Sequence, residues 1–196
     1  MTLYEERLDE LGNDVKTVGW NTREDQVLRF DMLYRGLDAT GLSVLDVGCG
    51  LGDLTTYLDA RTGGNYDYTG LDISERLVGQ AKENFGSARR EFVAGDILTM
   101  DNLGTYDIVF MSGALSFRIE DNMAFARTMI DRMFGACRKT LTMNFLSTHV
   151  DYQLDKNFHY NPGEMLGFAK TLTPWVNLYH DYPLWEFTVQ MHREHI

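Results

Sequence analysis

Cysteine, proline and tryptophan are scarce in this chain of 196 residues, and cations are outnumbered by acids. The two cysteines, Cys49 and Cys137, fit a reducing compartment better than a disulfide framework. No cluster of histidines, cysteines and acids has zinc-ligand spacing, so no metal site is expected. No apolar run approaches the roughly 18 residues that span a bilayer. The first residues, Met1-Thr2-Leu3-Tyr4-Glu5-Glu6-Arg7, are acidic and lack an apolar signal core. The expected setting is therefore the cytoplasm, with no membrane partner. Eighteen Lys and Arg face 29 Asp and Glu, a formal net charge of −11. A general nucleic-acid binder needs cationic surface to neutralise phosphates. Here the tightest basic cluster is Arg89-Arg90, followed at once by Glu91, and Arg138-Lys139 is an isolated pair. Nucleic acid is not the expected partner.

What the chain does have is a regular alternation of strand and helix patterns. Residues 2–12 read as a short helix, and a second helix is expected from Thr22 to Leu37. In the second, Val27, Phe30, Leu33, Tyr34 and Leu37 recur at spacings of three and four and predict one buried face. Thr22 is its expected cap. Strands follow at 43–47, 67–72, 90–94, 107–111 and 139–146, with helices at 52–60, 75–84 and 121–134 between them. Ser74 is placed to cap the helix at 75. Asn161-Pro162 opens a helix to 172, and strands at 175–180 and 185–191 form a closing antiparallel hairpin. The length suits one domain with a helical cap at 1–36 and a core at 43–196. The alternation predicts an α/β fold, a mostly parallel sheet covered on both faces.

In such a sheet, ligands bind beyond the carboxyl ends of the strands. The residues there form a consistent set. Val44-Leu45-Asp46-Val47-Gly48-Cys49-Gly50-Leu51-Gly52-Asp53-Leu54 runs from a buried strand through a glycine turn into a helix. Asp72-Ile73 closes the second strand, Asp96-Ile97 the third and Ser112-Gly113 the fourth. Gly48 and Gly50 let the backbone bend and a ligand approach closely. Asp72 suits a bidentate hydrogen bond to ribose hydroxyls, and Asp96, beside apolar Ile97, suits an adenine amino group. The alternative for each is a plain turn residue. For Asp46 the choice between bracing the loop and touching the ligand stays open.

These residues resemble the class I S-adenosylmethionine-dependent methyltransferases. Val44 to Leu54 is similar to the family's glycine motif, Tyr68 to Ser74 to the ribose-binding motif, Gly95-Asp96-Ile97 to the adenine motif and Tyr106 to Phe110 to the fourth-strand motif. The resemblance implies a Rossmann-like three-layer sandwich. Its sheet has seven strands in the order 3-2-1-4-5-7-6, the last in sequence antiparallel. It also implies S-adenosyl-L-methionine as cofactor, S-adenosyl-L-homocysteine as product, and Asp46, Gly48, Gly50, Asp72, Ile73, Asp96, Ile97 and Ser112 as cofactor contacts. This donor has no diphosphate, so the longer dehydrogenase glycine turn is not required, and its ammonium and sulfonium tolerate nearby acids. A nicotinamide diphosphate would sit poorly over Asp46 and Asp53. The ends of the chain resemble a broad group of small bacterial proteins with a Gly-Trp before a helix containing Arg-Phe, here Gly19-Trp20 and Arg29-Phe30. Trp20 is expected to close over the cofactor or the acceptor, with plain core packing as the alternative, and Arg29 to meet the methionine carboxylate.

The acceptor is less legible. The fourth strand ends in Ser112-Gly113-Ala114-Leu115, not the Asn/Asp-Pro-Pro-aromatic tetrad of amino-methylating DNA enzymes, and neither cysteine follows a proline. His149, His159 and Tyr152 are the candidates for acid–base chemistry, each with a structural alternative. Arg118 is a candidate for an anionic acceptor or a plain surface residue. With no room for a large substrate domain, the lid is expected from 1–36 and 147–161. The expected reaction is methylation of a small-molecule acceptor, first an O-methylation of a sugar, carboxylate or other metabolite. A non-catalytic S-adenosylmethionine-binding module and a nucleic-acid methyltransferase are the alternatives.

Overall fold

A computed structural model describes residues 3–195, the side chain of Leu3 excepted. Strands β1 (Ser43–Val47), β2 (Asp67–Asp72), β3 (Arg90–Ala94), β4 (Tyr106–Met111), β5 (Cys137–Leu146), β6 (Val176–Tyr179) and β7 (Glu186–His192) form one sheet in the order β3-β2-β1-β4-β5-β7-β6. β1 to β5 run parallel, and β7 is antiparallel to both β5 and β6. Helices α1 (Leu3–Leu11), α2 (Arg23–Tyr34), α3 (Asp53–Thr62), α4 (Glu75–Phe85), α5 (Asn122–Ala136) and α6 (Pro162–Leu172) complete the chain. Order, direction and class agree with the expected α/β fold, and the β-hairpin closes the sheet as expected.

The period-two geometry of strands explains the two cores. On β1 and β4, Val44, Ile108 and Phe110 face one side, packed with Phe30, Leu33, Leu54 and Leu58 of α2 and α3. Leu45, Val47, Val109 and Met111 face the other, packed with Ile130 and Met133 of α5. Both faces of these central strands are buried, so they read as continuous apolar runs. Each such side chain contributes about 1.5–3 kcal/mol on full burial.

Local signals place the helices. Thr22 accepts from the Asp25 amide at 3.0 Å, Ser74 from Leu77 at 3.3 Å, and Asn161 from Gly163 and Glu164 at 2.8 and 3.2 Å. One expectation fails. Val27 is 38% exposed, and the buried stripe of α2 runs instead through Gln26, Phe30 and Leu33, at helical spacings of four and three. A polar Gln holds the core-facing position because its amide has a partner below it, described next. The chain runs from β1 outward to β3 and then returns to β4 on the other side of β1. That reversal opens a crevice between the strand ends, at the topological switch point.

Candidate active site

The crevice is a cavity of about 360 Å³. Its floor is the glycine turn. Gly48, Gly50 and Gly52 all have positive φ, at 75°, 54° and 83°, which an L side chain rarely adopts. A Cβ on Gly50 would also lie 2.7 Å from Val18, and one on Gly48 3.0 Å from Ala114. The turn folds onto the end of β2. The Gly48 and Cys49 amides donate to the Leu71 carbonyl at 2.8 and 3.1 Å, and the Gly50 amide donates to the Asp72 carboxylate at 2.9 Å. Asp72 takes a second amide, from Ser74, at 3.0 Å. Burial pushes the Asp72 carboxyl up from its usual range, and these amide donors oppose it.

Asp46 sits under the turn, fully enclosed. The Tyr68 hydroxyl donates to it at 2.7 Å. Burial dominates and raises its pKa to about 7, the Tyr68 hydrogen bond opposes, and the charges of Asp72 and Asp53 add to the rise. Burial likewise pushes the Cys49 thiol up, which makes it a poor nucleophile. Asp53, in the first turn of α3, is tied to α2 by Arg23 at 2.9 Å and by the Gln26 amide at 3.0 Å; this is the partner that holds Gln26 inside. Further round the rim, Asp96 accepts from the Leu98 amide at 2.9 Å, and Ile97 is buried beside it. Ile73 lines the cavity with its side chain 74% exposed. The Ser112 hydroxyl, also lining it, is buried and has no hydrogen-bond partner among the described residues.

The roof comes from the N-terminal segment. Tyr4 of α1 lines the cavity and meets Phe117 edge-on at 5.8 Å. Ser74 donates to Glu5 at 3.0 Å, and Arg76 pairs with Asp9, so α1 is fastened to the start of α4. Trp20 also lines the cavity, and its ring lies so close to Gly113 that a Cβ there would be 2.4 Å from it. Gly113 has φ 74°.

Of the expected cofactor contacts, Trp20, Asp46, Gly48, Gly50, Asp72, Ile73, Asp96, Ile97 and Ser112 all line this one cavity. Arg29 does not. Its Nε and Nη2 clasp both oxygens of Glu186 at 2.5–2.9 Å, and its guanidinium stacks on Trp20 at 4.3 Å. Its Nη1 is buried without a partner among the described residues. The acid–base candidates also lie off the cavity lining. His149 is exposed, with its ring 5.8 Å from His180. Tyr152 is 67% exposed. His159 bonds the Ser147 carbonyl through Nδ1 at 2.7 Å, and its Nε2 is buried and unpartnered among the described residues. Arg118 braces the 155–157 loop by donating to the carbonyls of Asp155 and Asn157, both at 2.9 Å. No residue of 147–161 lines the cavity; Tyr4, Val18 and Trp20 of the N-terminal segment do. Tyr4, Val18, Gln26 and Phe117 line it without a local sequence signal. Asp53 had one, an acid immediately after the third glycine.

A family model described as a methyltransferase domain matches residues 44–139. A Mycobacterium tuberculosis (strain H37Rv) protein named "Putative methyltransferase Rv1506c" is 31% identical over 159 residues, covering 77% of this chain and 93% of that one. The chain belongs to the class I methyltransferase family. The fold of this methyltransferase is shared with solved structures at low identity. Magnesium protoporphyrin IX methyltransferase (ChlM) from Synechocystis PCC 6803, with bound SAM, superposes with a TM-score of 0.71 at 19% identity, over 97% of this chain and 91% of that one. The N-methyltransferase NodS from Bradyrhizobium japonicum WM9, in complex with S-adenosyl-l-homocysteine, does so with a TM-score of 0.65 at 16% identity, over 98% of each chain.

Proposed function

We propose that this enzyme transfers a methyl group from S-adenosyl-L-methionine to a small-molecule acceptor, by O-methylation of a sugar, carboxylate or other metabolite. The observation that carries the reading is the acidic lining of the cavity: Asp46, Asp53, Asp72 and Asp96 line it, and among the described residues no Lys, Arg or His does. Such a lining attracts a donor bearing an ammonium and a sulfonium and opposes a dinucleotide's diphosphate. The residues present fit that donor. The Gly48–Gly50 turn takes no side chain, since a Cβ there would press on Ala114 or Val18, and its bare backbone lines the cavity. Asp72 is the ribose acceptor, Asp96 faces the adenine amino group, and Ile73 and Ile97 supply apolar walls for the base. Asp46 and the free Ser112 hydroxyl serve the methionine end. Trp20 covers it, with Arg29 clasped by Glu186 and stacked behind the indole.

When bound, S-adenosylmethionine supplies an electrophilic methyl group on a sulfonium. The protein's part is positioning and exclusion of water, which fall to the Tyr4 and Trp20 roof. Where the acceptor must lose a proton, His159 is the preferred base over His149 and Tyr152. The Ser147 carbonyl can only accept, so Nδ1 carries a hydrogen, and in the neutral ring the lone pair is on Nε2. One observation favours the alternative of a donor-binding module without turnover: none of these three groups lines the cavity. Incubation with methyl-labelled donor and a panel of hydroxyl and carboxylate metabolites decides between them. The enzyme reading expects S-adenosylhomocysteine and labelled product, with His159→Ala slowing turnover more than donor binding. Donor binding with no product from any acceptor supports the module. A nucleic acid as the favoured acceptor would overturn the small-molecule assignment, against which the net charge of −11 argues.

A further inference from the structure

Trp20 lines a second pocket as well, of about 320 Å³, on the surface between α1 and the turn that follows it. This pocket has the opposite character. Arg7, Lys16 and Asn21 supply its side-chain polar groups, and no acid lines it. Arg7 is half-buried, and its guanidinium lies along Gly19, 3.6 Å from where a Cβ would be. Most arginines here are committed: eight pair with carboxylates, at Arg23, Arg29, Arg35, Arg61, Arg76, Arg89, Arg90 and Arg138. Neither Arg7 nor the Lys16 ammonium has a hydrogen bond or ion pair among the described residues. The acid nearest Lys16 in sequence, Asp14, accepts from the Lys16 backbone amide at 2.8 Å.

The wall between the two pockets is built. The Trp20 ring rests on Gly113 and is stacked by Arg29 at 4.3 Å. Arg29 is clasped by Glu186, which also accepts from the Asn144 amide at 2.6 Å, while Asn144 in turn accepts from the Gly113 amide at 2.9 Å. The contacts close a ring from Gly113 back to Gly113. Trp20 is the one described residue common to the linings of the acid-lined cavity and the cationic pocket.

We propose that the pocket of Arg7, Lys16 and Asn21 anchors the methyl acceptor, and that the acceptor is a small anion, a carboxylate or phosphate ester. This rests on the donor assignment of the neighbouring cavity. Charge complementarity divides the labour: acids receive the cationic donor, cations hold the anionic group of the acceptor, and the acceptor's nucleophile extends past the edge of Trp20 to the methyl group. Arg7 provides a planar fork for an oxyanion and Lys16 a point charge.

Trp20 gives a direct reporter once the other two tryptophans are replaced by Trp175→Phe and Trp185→Phe. In that protein, saturated with S-adenosylhomocysteine, sodium benzoate, inorganic phosphate and neutral benzamide are titrated at constant ionic strength while Trp20 emission is followed. The expected result is a saturable change with at least one anion and none with benzamide. Benzoate or phosphate preference tells carboxylate from phosphate. Arg7→Gln and exposed Lys16→Gln should each weaken that anion by about tenfold, the effect of one charge-assisted hydrogen bond, whereas Lys139→Gln should not. No saturable response, or equal affinity in both pocket variants, overturns the proposal. Calorimetry with S-adenosylhomocysteine on the same samples separates the two readings. Intact binding with no anion response sinks the acceptor site alone, and absent binding sinks the donor assignment beneath it.

Discussion

At the scale of single residues, Asp46 shows how burial becomes a functional property. Its carboxyl titrates near pH 7 because the enclosed site penalises charge more than the Tyr68 hydroxyl relieves it. The sign for stability follows. The folded state holds the proton to higher pH than the unfolded chain, whose Asp titrates near 3.9. Between about pH 4 and 7 this residue therefore removes stability as pH rises, and above 7 its contribution is flat. Donor binding has the opposite dependence, because an ammonium favours the ionised carboxylate. Affinity for S-adenosylhomocysteine is expected to rise from pH 6 to 8 and to lose that slope in Asp46→Asn. Calorimetry at the two pH values checks it; the same slope in the variant would assign the titration elsewhere. Glycine conformation and strand-end acids were legible because a turn leaves few alternatives. The Asp46 environment was not, since its partner Tyr68 sits on the neighbouring strand and nothing local marks it.

At the scale of elements, the strands and helices were legible almost throughout. Gly turns, Ser and Asn caps and apolar runs act over a few residues, and β1, β2 and β3 begin and end where those signals do. Val27 failed because spacing alone cannot tell an apolar residue at the edge of a stripe from one in it, while Gln26 is drawn inward by Asp53, 27 residues away. The Arg29–Glu186 pair spans 157 residues and could not be read at all. It joins α2 to β7 with both partners nearly closed from solvent. Removing one partner of such a pair strands the other. Glu186→Ala is expected to cost about 3–5 kcal/mol in urea unfolding, and Arg29→Met with Glu186→Leu to recover most of it. A loss below about 1 kcal/mol in the single variant would mean the pair is hydrated and does not fix Trp20. The expected lid loop, 147–161, fails on the same ground: its ties to Arg118 are long-range and leave it off the cavity lining.

At the scale of the whole molecule, a protein of net charge −11 concentrates four of its acids in one cavity and places Arg7 and Lys16, whose side chains have no hydrogen bond or ion pair among the described residues, in the pocket next door. The sheet creates the crevice by reversing direction at β1 and β4, the glycine turn floors it, and the N-terminal segment roofs it. Among the described residues no helix is long and apolar enough to cross a membrane. The fold was readable, and the strand-end residues expected to contact the donor fall on one cavity, because both depend on strand ends that recur in order along the sequence. The proposed acceptor pocket was not, because its residues lie on α1 and the turn after it and acquire meaning only beside Trp20. The central claim is that the acid-lined cavity binds S-adenosylmethionine. Isothermal titration of the protein with S-adenosylmethionine, with NAD as comparison, tests it directly. One-to-one saturable binding of the former, weakened at least about tenfold by Asp72→Ala, with no binding of NAD, is the predicted result. Binding of NAD in preference, or donor affinity unchanged in Asp72→Ala, would contradict it.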